Sequence, residues 1–205
     1  MIYLSGAVRP EIPGIGFMLT PNMGNKLPAG RIWAADNGRW AAPQLYTDES
    51  FLSWLAARDP THCLFATAPD VVADHAATLE LSRSMLPRIR RVGYKVAFVA
   101  QDGWDDAPWD EFDCVFIGGT TAFKLGQQIP PIVAKARRCG KWVHMGRVNS
   151  LLRMRYAQAI GCHSVDGTFL KFGPDTNTPR LLRWLEEIRQ PFLDLYGVYT
   201  TPTEQ

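Results

Sequence analysis

Short runs of apolar, β-prone residues recur along the chain, and most of them end in glycine or polar residues. Apolar side chains occupy successive positions in these runs, which is typical of strands buried on both faces of a parallel sheet. Eight runs of this kind predict strands, at residues 2–6, 15–20, 31–38, 62–70, 95–103, 114–120, 142–149 and 163–168.

Amphipathic helical patterns lie between the later runs. One predicts a helix over 48–57, with Asp48 as its N-cap. Another covers 71–91, where Pro87 is expected to kink or end the helix because proline cannot donate the helical hydrogen bond. Three further helices are predicted at 122–138, 150–161 and 179–189.

Alternating strands and helices indicate βαβ units and a parallel sheet. Eight such strands predict an α/β fold, a compact (β/α)8 TIM-like barrel, as a single domain over residues 1–205. The chain is close to the lower limit of about 200 residues for that fold, so we expect its loops and some helices to be pared down. The alternative is an open doubly wound sheet, although no G-x-G-x-x-G follows the first run to support its dinucleotide-binding version.

Composition excludes several classes of protein. With 46% hydrophobic and 20% charged residues, the chain can bury a core, and disorder is not expected. No apolar run reaches the roughly 18 residues of a membrane helix, and the N-terminus lacks a signal-peptide pattern, so no membrane partner is expected. The four cysteines form no C-x-x-C pair, which predicts reduced thiols in a cytoplasmic protein with no bound metal and no cofactor.

The net charge of +2 is too small to require a nucleic-acid partner, but the charges are unevenly distributed. Residues 114–165 contain eight Lys and Arg residues and no Asp or Glu. A basic face can bind a polyanion by releasing counterions. Arg137, Arg138 and Lys141 are interpreted as solvated helix surface. Arg147, Arg153 and Arg155 are the candidates for nucleic-acid contacts, because they surround a predicted strand end.

Polar and glycine residues collect at the C-terminal ends of the predicted strands, where a parallel barrel places its active site. They include Asp36, Asn37, Asp70, Gln101, Asp102, Gly118, Gly119, Met145, Gly146, Arg147 and Asp166. Carboxylates, amides and a glycine pair suit a flat ligand that forms hydrogen bonds, and Trp40 offers a stacking face. The sequence contains neither paired histidines of a metal hydrolase nor a G-x-S-x-G motif. For each Asp taken alone, a role as the N-cap of the following helix is as consistent with the sequence as a role in the site. His144 is interpreted as a core residue or as one that supports the site.

These residues, in this order and spacing, resemble the queuine/archaeosine tRNA-guanine transglycosylases. The resemblance is closer to their small phage relatives, the DpdA-type proteins that place 7-deazaguanines in DNA. It runs from Arg31 to Phe169 and includes Asp70 in an Ala-Pro-Asp sequence. Five patches carry it, at 36–40, 99–103, 117–126, 144–148 and 157–166.

The resemblance implies a role for each matching residue. Asp166 takes the position of the family's nucleophile, and Asp36 that of its acid/base aspartate. Asp70 and Gln101 take the positions of base-reading residues, and Trp40 that of an aromatic residue that stacks on the base. The remaining substrate-binding residues implied are Asn37, Gly118, Gly119, Met145 and Gly146, with Met145 stacking on the base opposite the aromatic residue.

The implied activity is exchange of guanine in DNA for a 7-deazaguanine, 7-cyano-7-deazaguanine or a derivative, by double displacement through a covalent aspartyl intermediate. The implied partners are DNA and the free base, with tRNA as the alternative polynucleotide. No cysteine follows Cys162, so the zinc-binding subdomain of the tRNA enzymes is not expected, and DNA is favoured.

Other functions stay open. They are a tRNA transglycosylase or its partner subunit, a nucleoside hydrolase, and a base-binding barrel without activity. A homodimer also stays open. A phage origin would place the protein in the host cytoplasm.

Overall fold

The computed structural model describes residues 1–6, 12, 14–24 and 27–189, which form a closed barrel of eight parallel strands. The strands are β1 (Ile2–Ser5), β2 (Ile15–Leu19), β3 (Trp33–Ala35), β4 (Cys63–Thr67), β5 (Val96–Ala100), β6 (Cys114–Ile117), β7 (Trp142–Met145) and β8 (Ser164–Asp166). Each strand pairs with the next in chain order, and β8 pairs with β1 to close the barrel. The predicted (β/α)8 barrel is confirmed, and the open sheet is excluded.

Helices follow β3, β4, β6, β7 and β8 along the chain. Among the described residues, the connections from β1 to β2, from β2 to β3 and from β5 to β6 contain no helix, so the barrel is pared down there. Two short 3₁₀ helices lie at Pro43–Leu45 and Phe169–Lys171. The α-helices are α1 (Asp48–Ala56), α2 (His75–Arg91), α3 (Thr121–Lys124), α4 (Ile129–Arg138), α5 (Leu151–Ile160) and α6 (Pro174–Arg189).

Two expectations about helices α1 and α2 are wrong. The N-cap of α1 is Thr47, not Asp48, because the Thr47 hydroxyl accepts the backbone N–H of Ser50 at 3.0 Å. Helix α2 continues through Pro87 to Arg91. Pro87 lies on the exposed face of α2, where water can satisfy the carbonyl that loses its helical donor.

Three helix boundaries also differ from prediction. Helix α2 begins at His75 rather than at 71, with Asp74 as its N-cap. The helix predicted over 122–138 is divided into α3 and α4, and Pro130 lies in the first turn of α4, where proline is tolerated. Helix α6 begins at Pro174 rather than 179. The last part of the predicted 1–205 domain, residues 190–205, lies outside the described residues.

Side chains alternate along each strand, so the core has an inner and an outer layer. The inner layer is filled by Leu4, Met18, Ala34, Phe65, Ala97 and Cys114, one from each of the first six strands. The outer layer is larger and packs the strands against the helices. Apolar side chains fill the inner layer in the first six strands, and the polar side chains that line a cavity lie at the C-terminal end.

Gly167, directly after β8, has no space for a side chain. A Cβ atom there would lie 2.7 Å from the Val148 carbonyl oxygen and would also overlap Tyr3 and Asn149. We expect Gly167→Ala to lower the free energy of unfolding by roughly 1–3 kcal/mol, the usual cost of overpacking. Chemical denaturation measures this. Gly24→Ala is the matched control, since no atom lies within 4 Å of a Cβ there, and equal losses in both variants would contradict the packing.

Candidate active site

A cavity of about 220 Å³ opens at the C-terminal end of the barrel. Its lining combines carboxylates, amides, glycine backbone and two cations with the apolar side chains of Trp40, Val72, Val99 and Phe116. Ten of the residues singled out from the sequence line it: Asp36, Asn37, Trp40, Asp70, Gln101, Gly118, Gly119, Gly146, Arg147 and Asp166. The barrel topology therefore gathers residues that are up to 130 positions apart in the chain, from Asp36 to Asp166.

Met145 does not line the cavity. It is 2% exposed and packs in the outer, helix-facing layer of the core. Because side chains alternate along β7, the neighbouring His144 is the residue that faces the barrel interior. The expected sandwich of a base between Trp40 and Met145 is not formed by this arrangement.

The three cations expected to contact nucleic acid occupy different surroundings. Arg147 lines the cavity with its guanidinium 4.5 Å from the centre of the exposed Trp40 ring. Its φ of 61° is unusual for a residue with a side chain, and such backbone conformations concentrate at functional sites. Arg153 donates a hydrogen bond to the Arg147 carbonyl at 3.3 Å, close to the cavity mouth. Arg155 instead forms an ion pair with Glu187 of α6, which directs its charge away from the cavity.

Asp36 is the most strongly perturbed carboxyl group of the cavity. Burial raises its pKa from 3.8 to about 6, and nearby Asp70 and Asp166 act in the same direction. The Gly38 N–H, which donates to Asp36 Oδ1 at 2.7 Å, and the Arg147 charge oppose this shift. A carboxyl group with a pKa near 6 can give and take a proton close to neutral pH, as a general acid and base must.

Asp70 is held between two side-chain amides. Gln101 Nε2 donates to Asp70 Oδ2 at 2.6 Å, while Gln101 Oε1 accepts the Ala73 N–H at 3.0 Å. Asn37 Nδ2 lies 3.5 Å from Asp70 Oδ1 and donates to the Ala68 carbonyl at 3.0 Å. Both amides are buried, so they fix the orientation of the carboxylate towards the cavity. Burial raises the pKa of Asp70, and the hydrogen bonds from the amides oppose that shift.

Asp166 ends a chain of hydrogen bonds that sequence reasoning missed. Its Oδ1 lies 3.0 Å from Nε2 of the fully buried His144, whose Nδ1 lies 2.8 Å from Ser164 Oγ. Trp142 Nε1, which can only donate, is 2.8 Å from that hydroxyl. One assignment that satisfies all three contacts has Trp142 donating to Ser164, Ser164 to His144 Nδ1, and His144 Nε2–H to Asp166. Trp142 and His144 lie on the same face of β7, but nothing in this mostly apolar run of residues showed from the sequence that this face points inward.

The sequence analysis also gave no role to Lys124, which lines the cavity. It is 5% exposed, and its Nζ donates to the Gly146 carbonyl at 3.0 Å. Burial, followed by the Arg147 charge, lowers its pKa from 10.5 to about 8. The signal in the sequence was a lysine flanked by Phe123 and Leu125 in the first helix after the glycine pair.

Within the part of the chain that the structure describes, no three His, Cys, Asp or Glu residues are placed to share a metal ion. In the same residues no helix combines the length and hydropathy of a membrane span.

Comparisons with known proteins add little to this geometry. No family model and no curated protein matches the chain. Solved structures do match, among them that of the Bacillus subtilis YkuI protein with an EAL domain, in complex with substrate c-di-GMP and calcium. That match has 16% identity and a TM-score of 0.46, and it covers 81% of this chain and 45% of the other, so this chain spans less than half of that protein. At this level of similarity, nothing about the chemistry of this chain follows from it.

The raised pKa of Asp36 has a consequence for stability. A carboxyl group whose pKa is higher in the folded than in the unfolded state favours folding below pH 4, and this contribution is lost as the pH rises through about 6. We therefore expect Asp36→Asn, which cannot ionise, to be more stable than the wild type at pH 8, by up to about 3 kcal/mol. The difference should shrink as the pH falls towards 4.

Thermal melts of both proteins across this pH range measure the effect. Asp105→Asn, which removes an exposed carboxylate, is the control and should show no comparable trend. A stability difference between Asp36→Asn and the wild type that does not depend on pH would show that the Asp36 pKa is not raised.

Proposed function

We propose that the protein is a guanine transglycosylase, which exchanges guanine in DNA for a 7-deazaguanine such as 7-cyano-7-deazaguanine. One observation carries the proposal. A single cavity brings together a carboxylate held by a buried histidine, a carboxyl group with a pKa near 6, and a carboxylate oriented by two amides. The class of incoming base, a 7-deazaguanine, is inferred from the resemblance of the sequence to the tRNA-guanine transglycosylases.

The first displacement uses Asp166 and Asp36. A carboxylate oxygen of Asp166 forms a bond to C1′ of the target nucleotide as the bond from C1′ to N9 of guanine breaks. The electron pair of that bond leaves with the base, which takes a proton from the Asp36 carboxyl group. The product is a sugar ester of Asp166, and the hydrogen bond from His144 keeps the attacking carboxylate in place.

The second displacement reverses the roles. The ionised Asp36 removes the N9 proton of the incoming 7-deazaguanine, and N9 attacks C1′ as the bond to Asp166 breaks. Two inversions at C1′ give overall retention, as in the retaining glycosidases. Asp36 must be protonated for the first step and ionised for the second, and a pKa of about 6 allows both states near neutral pH.

The base would be recognised by groups from three successive strands. Asp70 can accept the ring N1–H and the exocyclic amino group of guanine. The second N–H of the Gln101 amide and the backbone N–H of Gly119 can donate to the ring carbonyl. A Cβ at Gly118 would lie 3.0 Å from Gln101 Nε2 and closer still to Val99, so glycine keeps this rim open to a ligand.

A base stacked within a duplex cannot enter such a cavity, so the target must be flipped out or single-stranded. The exposed Trp40 ring beside the mouth is placed to stack on the extruded nucleotide. The preference for DNA over tRNA rests on the closer resemblance of the sequence to the DpdA-type proteins.

The decisive test is to trap the covalent intermediate. Wild-type protein incubated with a guanine-containing single-stranded deoxyoligonucleotide should give an adduct on a denaturing gel and should exchange labelled guanine. Asp166→Asn and Asp166→Ala should give no adduct and should lose exchange by roughly 10⁴-fold or more, because neither side chain is a competent nucleophile. Asp105→Asn, which removes an exposed carboxylate that does not line the cavity, should behave as the wild type.

If Asp166→Asn exchanges guanine as fast as the wild type, Asp166 is not the nucleophile. Mass spectrometry of nucleosides from DNA and from tRNA identifies the polynucleotide. Modified deoxynucleosides would support the proposal, whereas modified nucleosides found only in tRNA would show that the substrate is tRNA and not DNA. Release of guanine without incorporation would show a hydrolase, and base binding without either reaction would show a binding protein.

A salt titration tests the polynucleotide contacts. Each lost phosphate contact reduces the slope of log affinity against log salt by roughly 0.7–0.9. We expect this for Arg147→Ala and Arg153→Ala, near the mouth, and little change for Arg155→Ala, whose charge is already paired with Glu187. Arg137→Ala, at the end of α4 away from the mouth, is the matched control. A reduced slope for Arg137→Ala alone would place the binding face at the opposite end of the barrel.

A further inference from the structure

The proposed reaction leaves Lys124 unused, although this lysine lies in the cavity with its charged end buried. An ammonium group has three N–H donors, and the Gly146 carbonyl takes one of them. Burying a charged amine is costly unless it has a function or a partner. The remaining donors are available to a ligand in the cavity.

The order of the strands around the barrel indicates which part of the base Lys124 would meet. Asp70 follows β4, Gln101 follows β5, and Gly119 follows β6, while Asp166 ends β8. Going around a 7-deazaguanine, the amino edge is followed by the ring carbonyl, then by position 7, and then by N9. If the amino edge is read at β4 and N9 meets the nucleophile at β8, position 7 falls between β6 and β7.

Lys124 occupies that interval. It lies in α3, the helix that follows β6, and its Nζ is bonded to the carbonyl of Gly146, the residue that follows β7. We propose that Lys124 is the residue that selects the 7-substituent of the incoming base. It would donate to an acceptor such as a nitrile, carboxamide or carboxylate, and it would reject a cationic aminomethyl group. This inference rests on the proposed function.

The charges around the site support this selectivity. Burial and Arg147 lower the pKa of Lys124 only to about 8, so the amine is still mostly protonated at pH 7. The Arg147 guanidinium, which also lines the cavity, adds a second positive charge. A cationic substituent placed between Lys124 and Arg147 would face like charges in a poorly solvated space, and the negative charges of Asp166 and Asp102, which act on Lys124, would offset only part of that repulsion.

A purely structural role is the competing explanation. Lys124 would then do no more than satisfy the Gly146 carbonyl, and its removal would weaken binding of every base equally. A selective role would instead change the order of the binding affinities of the bases. The quantity to compare is therefore this order, measured for bases with different 7-substituents and with guanine, which carries none, as the reference.

Isothermal titration calorimetry at pH 7 can measure the binding of guanine and of 7-carboxy-, 7-cyano- and 7-aminomethyl-7-deazaguanine. Wild-type protein should prefer the carboxy and cyano bases over the aminomethyl base. Lys124→Met, which keeps the length of the side chain, should weaken the carboxy base at least about tenfold more than guanine, as expected for a lost hydrogen bond to a charged group. Lys124→Glu should reverse the preference towards the aminomethyl base.

Lys95→Met is the matched control, because Lys95 is exposed and precedes β5 at the opposite end of the barrel, and its ranking should equal that of the wild type. Melting temperatures show whether each variant is folded. A wild-type preference for the aminomethyl base, or one ranking shared by all variants, would overturn the role of Lys124 while leaving exchange through Asp166 intact. Failure of the wild type to bind any of the bases, guanine included, would overturn the proposed function itself.

Discussion

The pairing of β1 with β8 is the constraint on which the site depends. Leu4 lies opposite Asp166 in this register, and the Gly167 N–H donates to the Leu4 carbonyl at 3.2 Å. Without this closure the sheet would be open, with β8 at one edge and β4 in the middle. Closure brings the ends of all eight strands to one rim, and so it places carboxyl groups from β3, β4 and β8 around the same small space.

Gathering three carboxyl groups in one cavity has an electrostatic cost that the surroundings reduce. Asp36, Asp70 and Asp166 repel one another when ionised, and burial deprives them of water. Each of the three carboxyl groups has different neighbours, which offset the repulsion and the loss of water to different extents. Two side-chain amides contact Asp70 and the His144 ring contacts Asp166, whereas Asp36 accepts, among the described residues, from the Gly38 N–H. Different surroundings of this kind separate the roles of chemically identical groups.

Much of the architecture could be predicted from the sequence because parallel strands have a simple pattern. Apolar runs located all eight strands, and the polar and glycine residues at their ends, together with Trp40, account for ten of the cavity residues. The order of the strands around the barrel follows directly from the order in the chain, since each βα unit packs next to the preceding one.

Side-chain direction and long-range pairing were harder to predict. In β7 the residues Val143, His144 and Met145 are all buried, so no alternation of polarity shows which of them faces inward, and a shift of one residue exchanges the faces. The partner of Arg155 lies 32 residues away in a different helix, where no local pattern could reveal it. Lys124 reaches the Gly146 carbonyl through a flexible four-carbon chain, and its destination depends on the folded structure.

The contact between Arg147 and Trp40 has a consequence for how a ligand enters. A guanidinium group is flat and stacks on an indole much as a nucleobase does, so Arg147 lies on a face of the Trp40 ring that a planar ligand could also use. Under the proposed function, entry of a base onto that face would replace one stacked plane by another. The displaced arginine would then bring its positive charge to the mouth, where the polynucleotide would bind.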